Sequence, residues 1–240
     1  MSRTDGFTMV ELLVAMAIFA VVTVAALELQ GSSTRLSGVQ ISQAQRLQTL
    51  SDTSGYLADQ IRAGAGVYSG LNLPNGLGSI SECALSGTQP CVALLVPVTQ
   101  PLTCTSDPSA IIAWRLHAFR YVPRTVLPAT YKGNTVHDDD AYGLLEVRIS
   151  DPANPAPAPG VCGTEHATVP TSVAAYQTSS SYVTAPLADD LSIPSGTVPF
   201  AFDATTNIMT LRLQSASRTH GKVTLTPATP YELKVKTRNR

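Results

Sequence analysis

Apolar residues crowd the start of the chain and then thin into a spaced pattern. From Phe7 to Leu29 the only charged residues are Glu11 and Glu28. A helix over that stretch would be about 34 Å long at ~1.5 Å per residue, enough to cross a hydrocarbon core of about 30 Å. Beyond it, Leu36, Val39, Leu47, Leu50, Leu57 and Ile61 recur at helical spacing, with the polar Gln43 and Ser54 filling the gaps in the stripe. No proline occurs before Pro74. The pattern predicts one helix from about Phe7 to about Ala63, ended by Gly64 and Gly66. Gly31 and Gly38 are its weak points, each costing about 1 kcal/mol relative to alanine in a helix interior. A coiled-coil stalk fits less well, because the stripe is short and lacks paired flanking charges.

After Ala65 the pattern switches to short β-like runs between turn residues. Strands are predicted at 92–98, 111–122, 143–149, 198–202, 208–214 and 231–236. Alternation is plain in Leu145-Glu-Val-Arg-Ile149 and in Met209-Thr-Leu-Arg-Leu213, which predicts half-buried strands with one face on a core. The helix stripe is the expected cover for that core. The fold class is therefore α+β, a long N-terminal helix packed on an antiparallel sheet. The expected divisions are residues 1–6 as a leader, 7–29 as the membrane half of the helix, 30–65 as its amphipathic half, and 66–240 as a β-rich domain. The proline-dense stretch 151–160 reads as an extended surface loop. The Ser/Thr-rich stretch 168–184 reads as a mobile or glycosylated loop.

Composition changes this picture in one respect. The chain has four cysteines, Cys83, Cys91, Cys104 and Cys162, all in the turn-rich part. An even number there suits an oxidising compartment and disulfides. Three pairings are possible; Cys83–Cys91 with Cys104–Cys162 is preferred, since the first would close a short loop around Gly87. A zinc site is disfavoured, because no CxxC spacing occurs and His117, His137, His166 and His220 are not at ligand spacing with the cysteines. The formal net charge of −1 gives no electrostatic pull toward nucleic acid.

Glu11 is the odd residue of the apolar run. A carboxylate near a bilayer centre costs about 2.5 kcal/mol or more on insertion scales, so such a group usually has a partner. A secretory signal peptide, with Ala25-Ala26-Leu27 near its cleavage site, is the rival reading. Against it stand the short polar leader, which ends in Gly6 followed by an aromatic, and the carboxylate inside the run.

The stretch Gly6-Phe-Thr-Met-Val-Glu11-Leu-Leu-Val-Ala-Met-Ala-Ile-Phe19 resembles the processing and methylation motif of type IV prepilins and type II secretion pseudopilins. The resemblance implies that a membrane-embedded prepilin peptidase cuts after Gly6 and methylates the new N-terminus at Phe7. It makes Glu11 the acid that meets the amine of a neighbouring subunit. Met9 departs mildly from the family, where leucine is commoner. Each charge alone is costly in a low-dielectric core, so the pair would set register more than stability. A Glu11 that snorkels to the membrane surface without a partner is the alternative.

A weaker resemblance lies in Tyr56-Leu-Ala-Asp-Gln-Ile-Arg-Ala-Gly-Ala-Gly66 at the helix end and in Phe200-Ala-Phe-Asp203 with Ile208–Leu213 and Arg238-Asn239. These are similar to the larger minor pilins of the PilW kind and to pseudopilin J of type II secretion. Together the resemblances imply a non-enzymatic minor pilin. It would sit in the bacterial inner membrane with a periplasmic domain, then join a pilus through its helix. The implied partners are other pilins, the prepilin peptidase and the pilus assembly platform. A type II secretion pseudopilin is one alternative, and a filament-borne module that binds DNA or a surface is another.

No catalytic constellation competes with this. GxSxG, Walker-type, HExxH and GxGxxG patterns are missing from the sequence, and no cofactor is expected. Asp138-Asp139-Asp140 lacks the spaced pattern of a calcium loop and reads as a solvated turn. His117 lies inside a predicted strand and reads as packed or surface-exposed, not catalytic. Lys222, Lys234, Lys236, Arg238 and Arg240, with Tyr231, form a basic strip that could touch phosphates, but they suit an exposed edge strand equally well.

Overall fold

The computed structural model describes residues 8–74, 82–104, 107, 109–132, 141–158, 160–164, 168–193, 196–219 and 222–237. The sequence readings at Gly6, Phe7, His137, Asp138–Asp140, His166, His220, Arg238, Asn239 and Arg240 lie outside these residues. The chain divides into two compact units, Met1–Arg46 and Leu47–Arg240.

In the first unit the described residues form one element, the N-terminal part of α1, which runs over Met9–Ala63. Its large apolar side chains, from Met9 through Leu29 and on to Leu36, Val39 and Ile41, are all exposed. The helix is unbroken through Gly31 and Gly38, where an added Cβ would meet nothing within 4 Å. Among the described residues nothing packs closely enough to require glycine there.

In the second unit the end of α1 lies on a sheet. Leu50, Leu57, Ala58 and Ile61 are buried against Val92, Leu94, Phe119, Tyr121, Leu144, Leu211, Leu213 and Val235. The expected stripe therefore narrows: Leu50, Leu57 and Ile61 are covered, whereas Leu36, Val39 and Leu47 stay exposed. The helix ends at Gly64, whose amide bonds to the Gln60 carbonyl at 2.9 Å. A Cβ at Gly64 would sit 3.2 Å from that carbonyl and 3.6 Å from the Leu95 carbonyl. The chain there must pass close to the first strands.

Among the described residues the sheet has eight strands, all antiparallel. β1 (Val67–Tyr68), β4 (Cys91–Thr99), β5 (Ile111–Pro123), β6 (Tyr142–Ser150), β7 (Tyr182–Leu191), β9 (Ile208–Thr219) and β10 (Lys222–Lys236) follow in that spatial order, and β8 (Phe200–Asp203) pairs with β9. A separate small hairpin joins β2 (Leu71–Asn72) to β3 (Glu82–Cys83). The predicted strands are present with shifted ends; β8 begins at Phe200 rather than 198 and runs to Asp203, and β10 begins at Lys222 rather than 231.

Two expectations are corrected. The stretch 168–184 is not simply a loop: it holds a short helix α2 (Ala174–Gln177) and the start of β7. Pro186 and Asp189-Asp190 hide that strand in the sequence. β7 meets β9 only at Leu191↔Ser215, so most of it has one ladder partner, a place where proline is tolerated. The aspartates are satisfied by Arg124, whose Nε lies 2.9 Å from Asp189 Oδ1 and 3.5 Å from Asp190 Oδ1.

The second correction concerns burial of the central strands. They are covered on both faces, not one. On the face away from α1, Leu95, Trp114, Leu116, Val147 and Ile149 pack under Leu71, Leu73, Val173 and Tyr176. The β2–β3 hairpin and the α2 segment supply this second cover. In β6, Leu145, Val147 and Ile149 point to that side, so the alternation Leu-Glu-Val-Arg-Ile is real. Glu146 nevertheless has no exposed surface, because it faces the helix rather than water.

Candidate functional site

The helix N-terminus is built by a reciprocal cap. Thr8 precedes α1, and Glu11 stands three residues on. The Glu11 amide donates to Thr8 Oγ1 at 3.3 Å, while the Thr8 amide and hydroxyl both donate to Glu11 Oε2 at 3.0 Å. This capping box satisfies backbone donors that a helix start leaves open. It also answers the question the sequence raised: in the single chain, the carboxylate of Glu11 is held by the first turn of its own helix.

Behind the cap the large apolar side chains of the helix are exposed. The window of highest hydropathy in Met9–Ala63 averages 2.6 and is wholly uncovered, and this is the one helix among the described residues long and apolar enough to cross a membrane. Thr23, the hydroxyl within the apolar run, donates to the Phe19 carbonyl at 2.7 Å, so its polarity is masked along the helix.

The sequence of this segment has known counterparts. Residues 1–27 match the model of the prokaryotic N-terminal methylation motif. The chain carries a prokaryotic N-terminal methylation motif. The match supports the type IV prepilin and pseudopilin family, and with the apolar helix it supports a membrane-anchored pilin-like chain. No curated protein and no solved structure matches the chain. The motif covers the helix start and leaves the β-rich unit to be read from its own geometry.

In that unit the chain carries a second polar centre, which nothing in the sequence marks. The buried carboxylate of Glu146 receives His117 Nδ1 at 2.7 Å, Arg148 Nε at 2.9 Å, Arg148 Nη2 at 2.7 Å and the Tyr56 hydroxyl at 2.8 Å. Arg148 Nη2 also donates to the Tyr56 hydroxyl at 3.2 Å. Register explains the meeting: His117 stands opposite Arg148 in the β5–β6 ladder, and Glu146 lies two residues away from Arg148 on the same face. Burial alone pushes the Glu146 carboxyl up, but the bonds from His117, Arg148 and Tyr56 outweigh it and bring it down to about 2. Tyr56 comes from α1, so this centre fastens helix to sheet. Its groups bond to one another across the helix–sheet contact, which suits anchoring.

The cysteines form two disulfides, Cys83–Cys91 and Cys104–Cys162. Cys83 and Cys91 are fully buried and tie the β2–β3 hairpin to the start of β4. Beside the second bond, the side-chain amide of Gln100 exchanges hydrogen bonds with the backbone of Gly163 in both directions. It thereby pins the end of the proline-rich loop where no strand is formed. No group of three or more potential metal ligands occurs among the described residues. Of the basic strip, Lys234 lies 3.4 Å from Glu232, which also holds Arg212 at 2.9 Å.

Proposed function

We propose that this chain is a structural subunit of a type IV pilus, a minor pilin assembled through its N-terminal helix. The observation that carries the reading is the methylation motif at the head of a 55-residue helix whose large apolar side chains from Met9 to Ile41 are exposed. In this reading a prepilin peptidase cuts after Gly6 and methylates Phe7. The subunit waits in the inner membrane with residues 66–240 in the periplasm, then enters the filament with other pilins on the assembly platform.

Assembly changes the partner of Glu11. In the free chain Thr8 occupies its carboxylate; in a filament the amine of a neighbour's Phe7 competes for it. An ion pair in a low-dielectric core is strong only if its geometry is good, so the exchange favours one register. The fold of the β-rich unit supports a role in display and packing. Two disulfides and a sheet covered on both faces around β4–β6 make it fit for an exposed, oxidising site.

The test is a pair of variants followed into sheared filaments. Glu11→Ala is expected to insert in the membrane and to be nearly absent from filaments. Gly6→Val is expected to stay unprocessed. Normal incorporation of the first, or normal processing of the second, would overturn the reading. A deletion that abolishes protein secretion and leaves pili intact would instead make the chain a type II secretion pseudopilin.

A further inference from the structure

The two disulfides stand in opposite surroundings. Cys83 and Cys91 have no exposed surface, and they belong to the core layer that holds Leu71, Leu95 and Trp114. The backbone around them is tied as well. The Gly70 amide donates to the Cys83 carbonyl and the Cys91 amide to the Ala84 carbonyl, both at 2.6 Å. Cys104, by contrast, is half-buried, and Cys162 is exposed. Neither lies in a strand. The Cys104 amide closes a turn onto the Pro101 carbonyl at 3.0 Å, and the Val161 amide closes one onto Ala158 at 3.0 Å. Apolar side chains stand beside both cysteines in the chain: Leu102 is 90% exposed and Val161 51%.

Thiol–disulfide exchange needs a thiolate to reach one of the two sulfurs, so access decides which bond exchanges in a folded protein. We propose that Cys104–Cys162 is a thiol-exchange site, opened and closed by a protein dithiol of the Cys-x-x-Cys class that attacks at Cys162, while Cys83–Cys91 stays closed. In the opening direction the attacking thiolate bonds to Cys162 Sγ as the Cys104–Cys162 bond breaks. The bonding pair leaves on Cys104 Sγ. The second thiol of the partner, as thiolate, then attacks its own neighbour's sulfur and expels Cys162. The partner is oxidised to a disulfide, the two cysteines are reduced, and each cysteine takes up one of the two protons the dithiol loses. Closure is the reverse. Leu102 and Val161 offer a protein partner apolar surface to cover beside the bond, which a small dithiol does not use.

Opening this bond frees a loop and leaves the sheet. The bond joins the β4–β5 connection to the proline-rich stretch that follows β6, whereas β4, β5 and β6 pair with one another along their length. With the bond open, that stretch keeps its two hydrogen bonds between the Gln100 side chain and the Gly163 backbone. Gly163 is closely seated, since a Cβ there would lie 3.0 Å from Ile112 Cβ and 3.3 Å from Pro157 Cγ. The event is thus a local release, distinct from global unfolding. Reaching Cys83–Cys91 requires lifting the β2–β3 hairpin off the sheet. Exchange at the outer bond does not depend on assembly into a filament.

The experiment uses the full-length chain in detergent micelles, with the fluorescence of the buried Trp114 reporting that it stays folded. Dithiothreitol is added, samples are alkylated at intervals, and the four cysteines are scored by peptide mass. Cys104 and Cys162 are expected to be labelled at least about tenfold faster than Cys83 and Cys91. Equal rates, faster labelling of the inner pair, or no labelling until the fluorescence reports unfolding would overturn the site. A thioredoxin whose second active-site cysteine is replaced by serine is the protein probe, because it forms the mixed disulfide and cannot resolve it. Alkylation of the released thiol holds the trap. The expected product carries thioredoxin on Cys162 and the alkyl group on Cys104. The opposite arrangement, or no trap where dithiothreitol opens the bond, would overturn attack at Cys162 by a protein dithiol. Leu102→Ser with Val161→Ser should lower the trapped yield several-fold and leave the dithiothreitol rate unchanged. An unchanged yield would remove the apolar surface from the site.

Discussion

The hydroxyl of Tyr56 donates to the carboxylate of Glu146 across 2.8 Å, and these two residues join α1 to β6. The bond matters because Glu146 is wholly buried and each of its donors offsets part of the cost of burying the charge. Tyr56→Phe should cost about 1 to 3 kcal/mol, since it removes one donor to a buried charge. Glu146→Ala should cost more, about 3 to 5 kcal/mol, because Arg148 and His117 are then left facing an apolar void. Trp114 is the sole tryptophan of the chain and is buried. Its fluorescence during denaturant unfolding reads both effects.

The same carboxyl gives the β-rich unit an acid limit. Glu146 sits at about 2 when folded and near the ordinary 4.5 when unfolded. The folded state therefore binds fewer protons, so its contribution is full above the ordinary value and fades as pH falls toward 2. Stability measured from pH 6 downward should drop through that window. Glu146→Gln should flatten the drop while lowering stability at pH 6.

Much of this architecture is legible in the sequence, and the failures share a cause. The helix over Met9–Ala63 is visible because an unbroken apolar run, a later stripe and the lack of proline all agree. β4, β5, β6 and β9 are visible from branched and aromatic residues. β7 is not, because Pro186 and Asp189-Asp190 are locally wrong for a strand and become acceptable only through a nearly open edge and Arg124. Glu146 looks like a solvent-facing residue, since nothing local shows that three side chains converge on it. At the candidate site, Glu11 stands out as a charge in an apolar run. Its partner Thr8 is readable as the first position of a Thr-x-x-Glu capping box, a signal overlaid by the stronger processing motif.

The narrowing of the helix stripe predicts unequal mutants. Leu57 is fully buried, whereas Leu36 is mostly exposed. Leu57→Ala should destabilise the β-rich unit by about 2 to 5 kcal/mol, as large-to-small core changes do. Leu36→Ala should leave it within about 0.5 kcal/mol. Equal effects in thermal unfolding would mean that Leu36 is covered by the unit after all.

The disulfides should differ in weight. Cys104–Cys162 spans 58 residues and Cys83–Cys91 spans 8. Loop-closure entropy alone assigns about 4 kcal/mol to the longer and about 2.5 kcal/mol to the shorter. Removing the short bond also opens a site where both sulfurs are buried, so the two double Cys→Ser variants should unfold at more similar temperatures than loop length alone implies. Calorimetry of each variant against the parent chain checks this.

Processing as a prepilin underlies the whole reading, and intact mass with N-terminal sequencing of the protein from its native membranes decides it. The expected chain begins at Phe7 and carries one added methyl group. A chain beginning near Leu27, or one still beginning at Met1, would refute the pilin assignment.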